Sequence, residues 1–269
     1  MNLVHIENKL FALSETIGVS AYDFDFERHF SCRHPYQIDG EQQCILRKGS
    51  VEDYAAEYAM QKERGLRLVN SPDEQARASL LEHWYPLIQS MTPRTMIFDC
   101  LPDAEVIEAN FEWPIFLKGS RQTSKHNPDL AVIRDRQHYQ RAVPRYQHDP
   151  ILHWQKPVVR EFVPLAQVPG AMAGKIQPSL EFRSFWWRGV CVGVGPYWYQ
   201  APVYQAEDLA AGIKIARAAA EAVNVSFLVI DFAKTAAGDW LVIECNDAQE
   251  SGYAGIDPIG LWRRILSLI

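Results

Sequence analysis

The chain has 269 residues, 27 Lys and Arg against 33 Asp and Glu, a formal charge of −6, and 48% apolar residues. That length and apolar share supply a full core in one large or two modest domains, while the acidic balance argues against a surface built to grip duplex nucleic acid. No run of about 18 uncharged apolar residues occurs, since the most apolar window, 185–201, is broken by Arg188, Gly193, Gly195 and Pro196. The first residues lack a basic start followed by an apolar run, so no signal peptide is expected. Five scattered cysteines (Cys32, Cys44, Cys100, Cys191 and Cys245) form no C-x-x-C pair. They predict reduced thiols in a cytoplasmic protein rather than a zinc finger or a disulfide framework, and the sequon at Asn224 then carries no glycan.

In chain order, a short strand is predicted at 43–46. Ser50, with Asp53 three residues on, caps a helix over 51–63 that stops at Gly65. A second strand follows at 66–69. Asn70-Ser71-Pro72 then opens a helix whose apolar positions Leu80, Leu81, Trp84 and Leu87 recur at helical spacing. Strand, helix, strand, helix predicts a small α/β unit with a parallel sheet. Beyond residue 91, strands are predicted at 95–98 and 113–118 around a short helix, then a polar loop over 119–129, a strand at 130–134, a helix at 137–147 and a strand at 158–165. Two antiparallel hairpins follow, 180–187 with 190–194 and 227–233 with 240–246, separated by a helix over 206–222. The expected fold is an α/β unit over 1–92 followed by a larger α+β unit over 93–269.

Chemistry concentrates in the second hairpin. Asp231 interrupts one apolar strand, and Glu244 and Asn246 share a face of the other, because strand side chains alternate. A turn at Ala237-Gly238 sets Asp231 opposite Glu244, and a turn one residue later sets it opposite Asn246. In either register two carboxylates and an amide oxygen converge. Opposed carboxylates repel unless a cation lies between them, and three hard oxygens suit Mg²⁺; the alternative is a set of ordinary polar residues on a half-exposed face. Lys118 ends an apolar strand before the small and hydroxyl residues Gly119, Ser120, Thr123 and Ser124, with Lys125 among them. That pattern is a phosphate cradle or a solvated loop, and it lacks the Walker A order. Arg160 with Glu161, and Arg183 with Glu181, sit in apolar strands, where charge is costly unless paired or facing a phosphate. The aromatic run at 196–199 is read as packing, with an acceptor pocket as the alternative.

This order of motifs resembles the ATP-grasp family over roughly residues 91–255: a strand lysine with a small-residue loop, a strand carrying Glu, an embedded Arg, then Asp231 and Glu244-Cys245-Asn246. The preceding stretch, with Leu-Val-Asn-Ser-Pro at 68–72 and Pro-Arg-Thr at 93–95, looks like the unit that usually precedes such a core. The resemblance implies ATP held between 93–160 and 161–269. It implies phosphate contacts from Lys118, with Ser120, Thr123, Ser124 and Lys125 in a loop that closes over them. It implies the nucleoside end at Glu161 with the Val163 backbone, Mg²⁺ (or Mn²⁺) on Asp231, Glu244 and Asn246, and Arg183 as the catalytic cation facing the γ-phosphate. A second nucleotide-binding lysine has no clear match; Arg94 and Arg160 are the candidates, and Arg160 is the better. Asp247, Gln249 and Ser251 are implied to lie near the substrate. The expected activity is an ATP- and Mg²⁺-dependent carboxylate–amine ligase working through an acyl phosphate, on a small-molecule, amino-acid or peptide substrate, with no nucleic-acid or membrane partner. The rivals are an ATP-binding scaffold without turnover and a phosphotransferase that stops at a phosphorylated product.

Overall fold

The computed structural model describes residues 1–123, 127–168, 178–202 and 204–269. The first sheet holds β1 (Asn2–Ile6), β2 (Leu10–Ser14), β3 (Cys32–Arg33), β4 (Gln42–Arg47) and β5 (Leu66–Leu68), in the order β3-β1-β2-β4-β5. It is mixed rather than parallel. β4 and β5 run parallel as expected; β1, β2 and β3 are not expected from the sequence, β2 lying parallel to β4 while β1 is antiparallel to both β2 and β3. The reason is the turn between β1 and β2, where Glu7 and Asn8 adopt φ of 50° and 54° and fold the chain straight back on itself. Helix α1 (Tyr54–Glu63) starts later than expected, capped by Asp53, whose side chain accepts from the Ala56 N–H. Ser50 cannot cap it, because the next residues are held elsewhere: the Val51 N–H donates to Glu250 Oε1 at 3.0 Å.

The helix predicted to start near residue 72 is two helices, α2 (Pro72–Ser79) and α3 (Leu81–Ile88). Leu80 between them is extended, and the Leu81 N–H bonds Ser120 O at 3.1 Å. Next come β6 (Thr95–Ile97), α4 (Ala104–Glu108), β7 (Ile115–Gly119), β8 (Val132–Ile133), α5 (Arg136–Gln147) and β9 (Pro157–Glu161). Their four strands form a second, antiparallel sheet, β6-β9-β7-β8.

The third sheet is built from β10 (Glu181–Trp187), β11 (Val190–Pro196), β12 (Phe227–Lys234) and β13 (Trp240–Asp247), ordered β11-β10-β12-β13 and antiparallel throughout. Arg188 and Gly189 turn the first hairpin with φ of 47° and 78°, the paired left-handed conformation of a type I′ turn. Helix α6 (Leu209–Val223) joins the hairpins, and α7 (Pro258–Ser267), which the sequence analysis does not assign, follows. Strand alternation divides this sheet's side chains. Trp186, Leu228 and Ile230 pack with Trp84 of α3 and Ala216 of α6. Phe185, Trp187, Phe227 and Val229 pack with Val4, Ile6, Leu10 and Ile45 of the first sheet and Trp262 of α7. A mixed α+β fold is thus the outcome, as expected. No helix among the described residues is long and apolar enough to cross a membrane.

Candidate active site

The β12–β13 register is the one that sets Asp231 opposite Glu244, with Val229 opposite Asn246. Toward the turn, Phe232 pairs with Val242, so one extra residue, Ile243, is accommodated between Asp231 and Phe232. This bulge decides the site. Had the turn-side pairing continued unbroken, Asp231 would face Ile243, and Glu244 would lie on the other face, opposite Ile230. Asp231, Glu244 and Asn246 therefore share the face of Phe227 and Val229.

Each carboxylate meets a cation. Arg183, directly opposite Asp231 on β10, grips it with a two-pronged fork: Nε to Oδ1 at 2.8 Å and Nη2 to Oδ2 at 2.7 Å. Its third nitrogen, Nη1, donates to Gly252 O at 2.9 Å, and the guanidinium lies 5.1 Å from the Tyr197 ring centroid. Burial works against this cation, but the adjoining Asp231 carboxylate outweighs it and holds the Arg183 pKa above its ordinary value. Lys118, at the end of β7 and only 3% exposed, bonds Glu244 Oε1.

Arg160 completes the group from β9. Alternation places Arg160, Phe116 and Lys118 on one face of the second sheet. Arg160 donates from Nε to Thr95 Oγ1 at 3.0 Å and from Nη1 to Ile243 O at 2.7 Å, the carbonyl of the bulged residue. Its Nη2 is buried with no hydrogen-bond partner among the described residues. Burial, partly offset by the Glu244 charge, lowers its pKa to about 10. Three cations thus face two carboxylates, and one guanidinium nitrogen awaits an acceptor. A buried donor left unmade is costly, so the arrangement suits an anionic ligand.

The other expected residues divide. Ser120 is buried, with its N–H on Lys156 O at 3.0 Å, and Thr123 is half-buried. Ser124 and Lys125 lie outside the described residues. Glu161 is exposed at the end of β9, just before half-buried Val163, where the chain leaves the second sheet for the third. Arg94, the other basic candidate, stacks 4.5 Å from the Phe111 ring centroid. Asp247 and Ser251 line a cleft of about 60 Å³ together with Asn246, Arg121 and Glu250. Burial first, then the Glu250 charge, raises the Asp247 carboxyl to about 7. The Ser251 hydroxyl donates to Asp247 O at 2.7 Å. Gln249 is turned inward rather than toward a ligand. It is fully buried, its Oε1 accepting from the Leu46 N–H at 3.1 Å and its Nε2 donating to Tyr54 OH at 2.7 Å. The run at 196–199 splits: Tyr197 lies under Arg183, while Trp198 packs into the core and its Nε1 donates to Glu181 Oε2 at 3.1 Å.

Among the described residues, no three His, Cys, Asp or Glu side chains gather closely enough to hold a metal ion by themselves. Two carboxylates and an amide side chain on one face, the Asn246 Nδ2 donating to Glu244 Oε2 at 3.4 Å, nonetheless offer the hard oxygens that Mg²⁺ takes when phosphate and water supply the rest, and the unpartnered Arg160 Nη2 marks where such an anion fits. Two features have no counterpart in the sequence reading. Arg121 pairs with Glu250 at 2.8 Å. Gln155 Oε1 accepts the N–H groups of both Arg121 and Gln122 at 2.8 Å and packs so tightly on Gly119 that a Cβ there would lie 2.2 Å from it. Only the glycine after Lys118 hints at this clasp.

Comparison with known proteins gives a consistent picture. A family model for the ATP-grasp domain, the third family of its clade, matches residues 56–265. No curated protein matches the sequence. Among solved structures, a RimK-domain ATP-grasp protein from Sphaerobacter thermophilus superposes with a TM-score of 0.58 at 13% identity, covering 84% of this chain and 80% of that one. The D-Ala:D-Ser ligase VanG from Enterococcus faecalis gives 0.57 at 14%, covering 79% of this chain and 64% of that one. A D-alanine–D-alanine ligase from Bacillus anthracis, solved with ATP, gives 0.53 at 11%, covering 77% of this chain and 66% of that one. At these identities the likeness is one of fold.

Proposed function

The chain belongs to the ATP-grasp family, and from that premise we propose that it is an ATP-dependent ligase joining a carboxylate to an amine through an acyl phosphate. The observation that carries this reading is the set of three strand-borne cations, Lys118, Arg160 and Arg183, around two opposed carboxylates, with Arg160 Nη2 lacking an acceptor. In the proposed reaction a substrate carboxylate oxygen bonds to the terminal phosphorus of ATP and ADP leaves. The amine then bonds to the acyl carbon, phosphate leaves, and the amine gives up a proton. Such chemistry asks the protein for positioning and charge neutralisation more than for covalent help.

Lys118 and Arg160 hold the phosphate chain in this scheme, and Arg183 meets charge developing on the transferred phosphoryl group. Ser120, Thr123, Ser124 and Lys125 belong to the covering loop, with Glu161 and the Val163 backbone at the nucleoside end. Asp231, Glu244 and Asn246 would hold Mg²⁺, or Mn²⁺ in its place, which when bound neutralises phosphate oxygens. Asp247 and Ser251 line the cleft nearest the carboxylate substrate. Five free cysteines and the need for ATP support a cytoplasmic setting.

The test is ADP release with Mg-ATP and amino-acid or peptide mixtures, with the product weighed by mass spectrometry. A product equal to both substrates less water is expected, and Glu244→Gln should lower turnover by about 10² with far-UV dichroism unchanged. Release unaltered by Glu244→Gln, or no release from wild type with any mixture, overturns the reading. A phosphorylated end product would make the protein a phosphotransferase, and Mg-ATP binding without turnover would make it a scaffold.

A further inference from the structure

A hollow of about 520 Å³ lies outside the site just described, between the end of the first sheet and the segment that follows β13. Its size falls within the roughly 300–1,000 Å³ of small-molecule sites. Its rim carries four carboxylates, Glu15, Asp23, Asp25 and Glu27, and among the described residues Arg47 is the one lysine or arginine in its lining. Hydrogen bonds orient three of these carboxylates. Asp23 accepts from the N–H groups of Ile17 and Gly18 at 2.9 Å, and Asp25 from the Arg28 N–H at 3.3 Å. Glu27 accepts from Asn2 Nδ2 at 3.0 Å and faces His34, bonds that hold its carboxyl below the usual range. Aromatic walls, Tyr22, Phe24 and Tyr253, line the interior.

Arg47 is 3% exposed and stacks between Tyr22 and Tyr253, 4.2 and 4.6 Å from their ring centroids. Its Nη1 donates to the carbonyls of Ala248, Gln249 and Ser251 at 2.7, 3.2 and 2.8 Å and its Nη2 to Tyr22 O at 3.4 Å, while its Nε is buried with no hydrogen-bond partner among the described residues. A buried guanidinium N–H without an acceptor calls for an oxygen, while the rim calls for cations. An amino acid with a basic side chain offers both: one carboxylate, two cations, and an alkyl stem to lie along aromatic rings.

We propose that this hollow binds a basic amino acid, or the basic terminal residue of a peptide, with its carboxylate or carbonyl toward Arg47 and its ammonium or guanidinium groups at the Glu15–Glu27 rim. The hollow abuts the candidate active site through one shared wall. Arg47 holds the carbonyls of Ala248, Gln249 and Ser251, Arg183 holds that of Gly252, Tyr253 faces the hollow, and Asp247 and Ser251 face the small cleft. The bound molecule is then one of the substrates of the ligation; that role rests on the ligase reading, whereas its binding does not.

Calorimetry of the full chain without nucleotide tests the site, using L-arginine and L-lysine, with L-norleucine, L-glutamate and agmatine (arginine without its carboxylate) as comparisons. Arginine or lysine should bind, with norleucine, glutamate and agmatine at least about tenfold weaker. The double variant Glu15→Gln/Asp25→Asn should weaken arginine and lysine by about tenfold or more while its thermal midpoint is kept. Absent binding of both amino acids, equal binding of norleucine, or an unweakened double variant overturns the site. Binding without ADP release from arginine or lysine leaves the site standing and removes the ligase reading for them. ADP release with some other amine, and no binding here, does the reverse.

Discussion

Arg183 and Asp231 sit opposite one another on neighbouring strands, and Asp231 is 1% exposed, so removing either partner strands the other as a buried charge. Arg183→Ala should lower unfolding free energy by about 3–5 kcal/mol. Adding Asp231→Ala should recover most of that loss in urea titrations, because both charges are then gone. Turnover should not recover: the double variant should stay down by about 10² or more in kcat, the scale for loss of one preorganised donor. At this scale the sequence is informative where a charge breaks an apolar strand, as Lys118, Arg160, Arg183, Asp231 and Glu244 all do. Alternation alone puts Glu244 and Asn246 on one face. It leaves the partner of Asp231 open between two turns, and it gives no sign that Gln249 faces inward, since its partner Leu46 is remote in the chain. Arg47 is equally silent, one basic residue at the end of an apolar strand.

Helix starts are legible where one cap is available and poorly so where two compete. At α2 the capping box is complete: the Ser71 hydroxyl accepts from the Glu74 N–H at 3.3 Å, and Glu74 Oε2 accepts from the Ser71 N–H at 2.8 Å. Glu74 Oε1 also accepts from the N–H and hydroxyl of Ser226, at 3.0 and 2.6 Å, tying α2 to the start of β12. Burial pushes this carboxyl up, but the Ser226 and Ser71 bonds outweigh it, and the net pKa is lowered from 4.5. A depressed carboxylate stabilises the fold fully above its ordinary pKa and loses that contribution as pH falls through the depressed one. Glu74→Gln should therefore cost about 1–2 kcal/mol at pH 7, with the gap to wild type closing below about pH 4.5 in thermal melts. At α1 both Ser50 and Asp53 could cap, and the tie of Val51 to Glu250 decides for Asp53. The start of α7 also has a single cap, Asp257 before Pro258, whose carboxylate accepts from the Ile259 and Gly260 N–H groups, yet no helix is expected there from the sequence.

For the molecule as a whole, the first and third sheets share one core, with Val4, Ile6 and Leu10 against Phe185, Trp187 and Phe227. Contacts this far apart in sequence cannot be read from periodicity, which gives each strand a buried face without naming what covers it. A shared core predicts one unfolding transition: far-UV dichroism and tryptophan fluorescence should report the same urea midpoint. Gln249→Ala, which removes the bridge from the segment after β13 to β4 and α1, should shift both midpoints down together, a loss of about 1–3 kcal/mol. Separate midpoints would mean the two sheets are independent bodies. The bulge at Ile243 also matters at this scale. Its carbonyl is the oxygen that Arg160 reaches from the second sheet, and its insertion is what points Glu244 toward Asp231. A shift of that sheet against the third would therefore pull on the same peptide that aims the Glu244 carboxylate, through a single backbone atom.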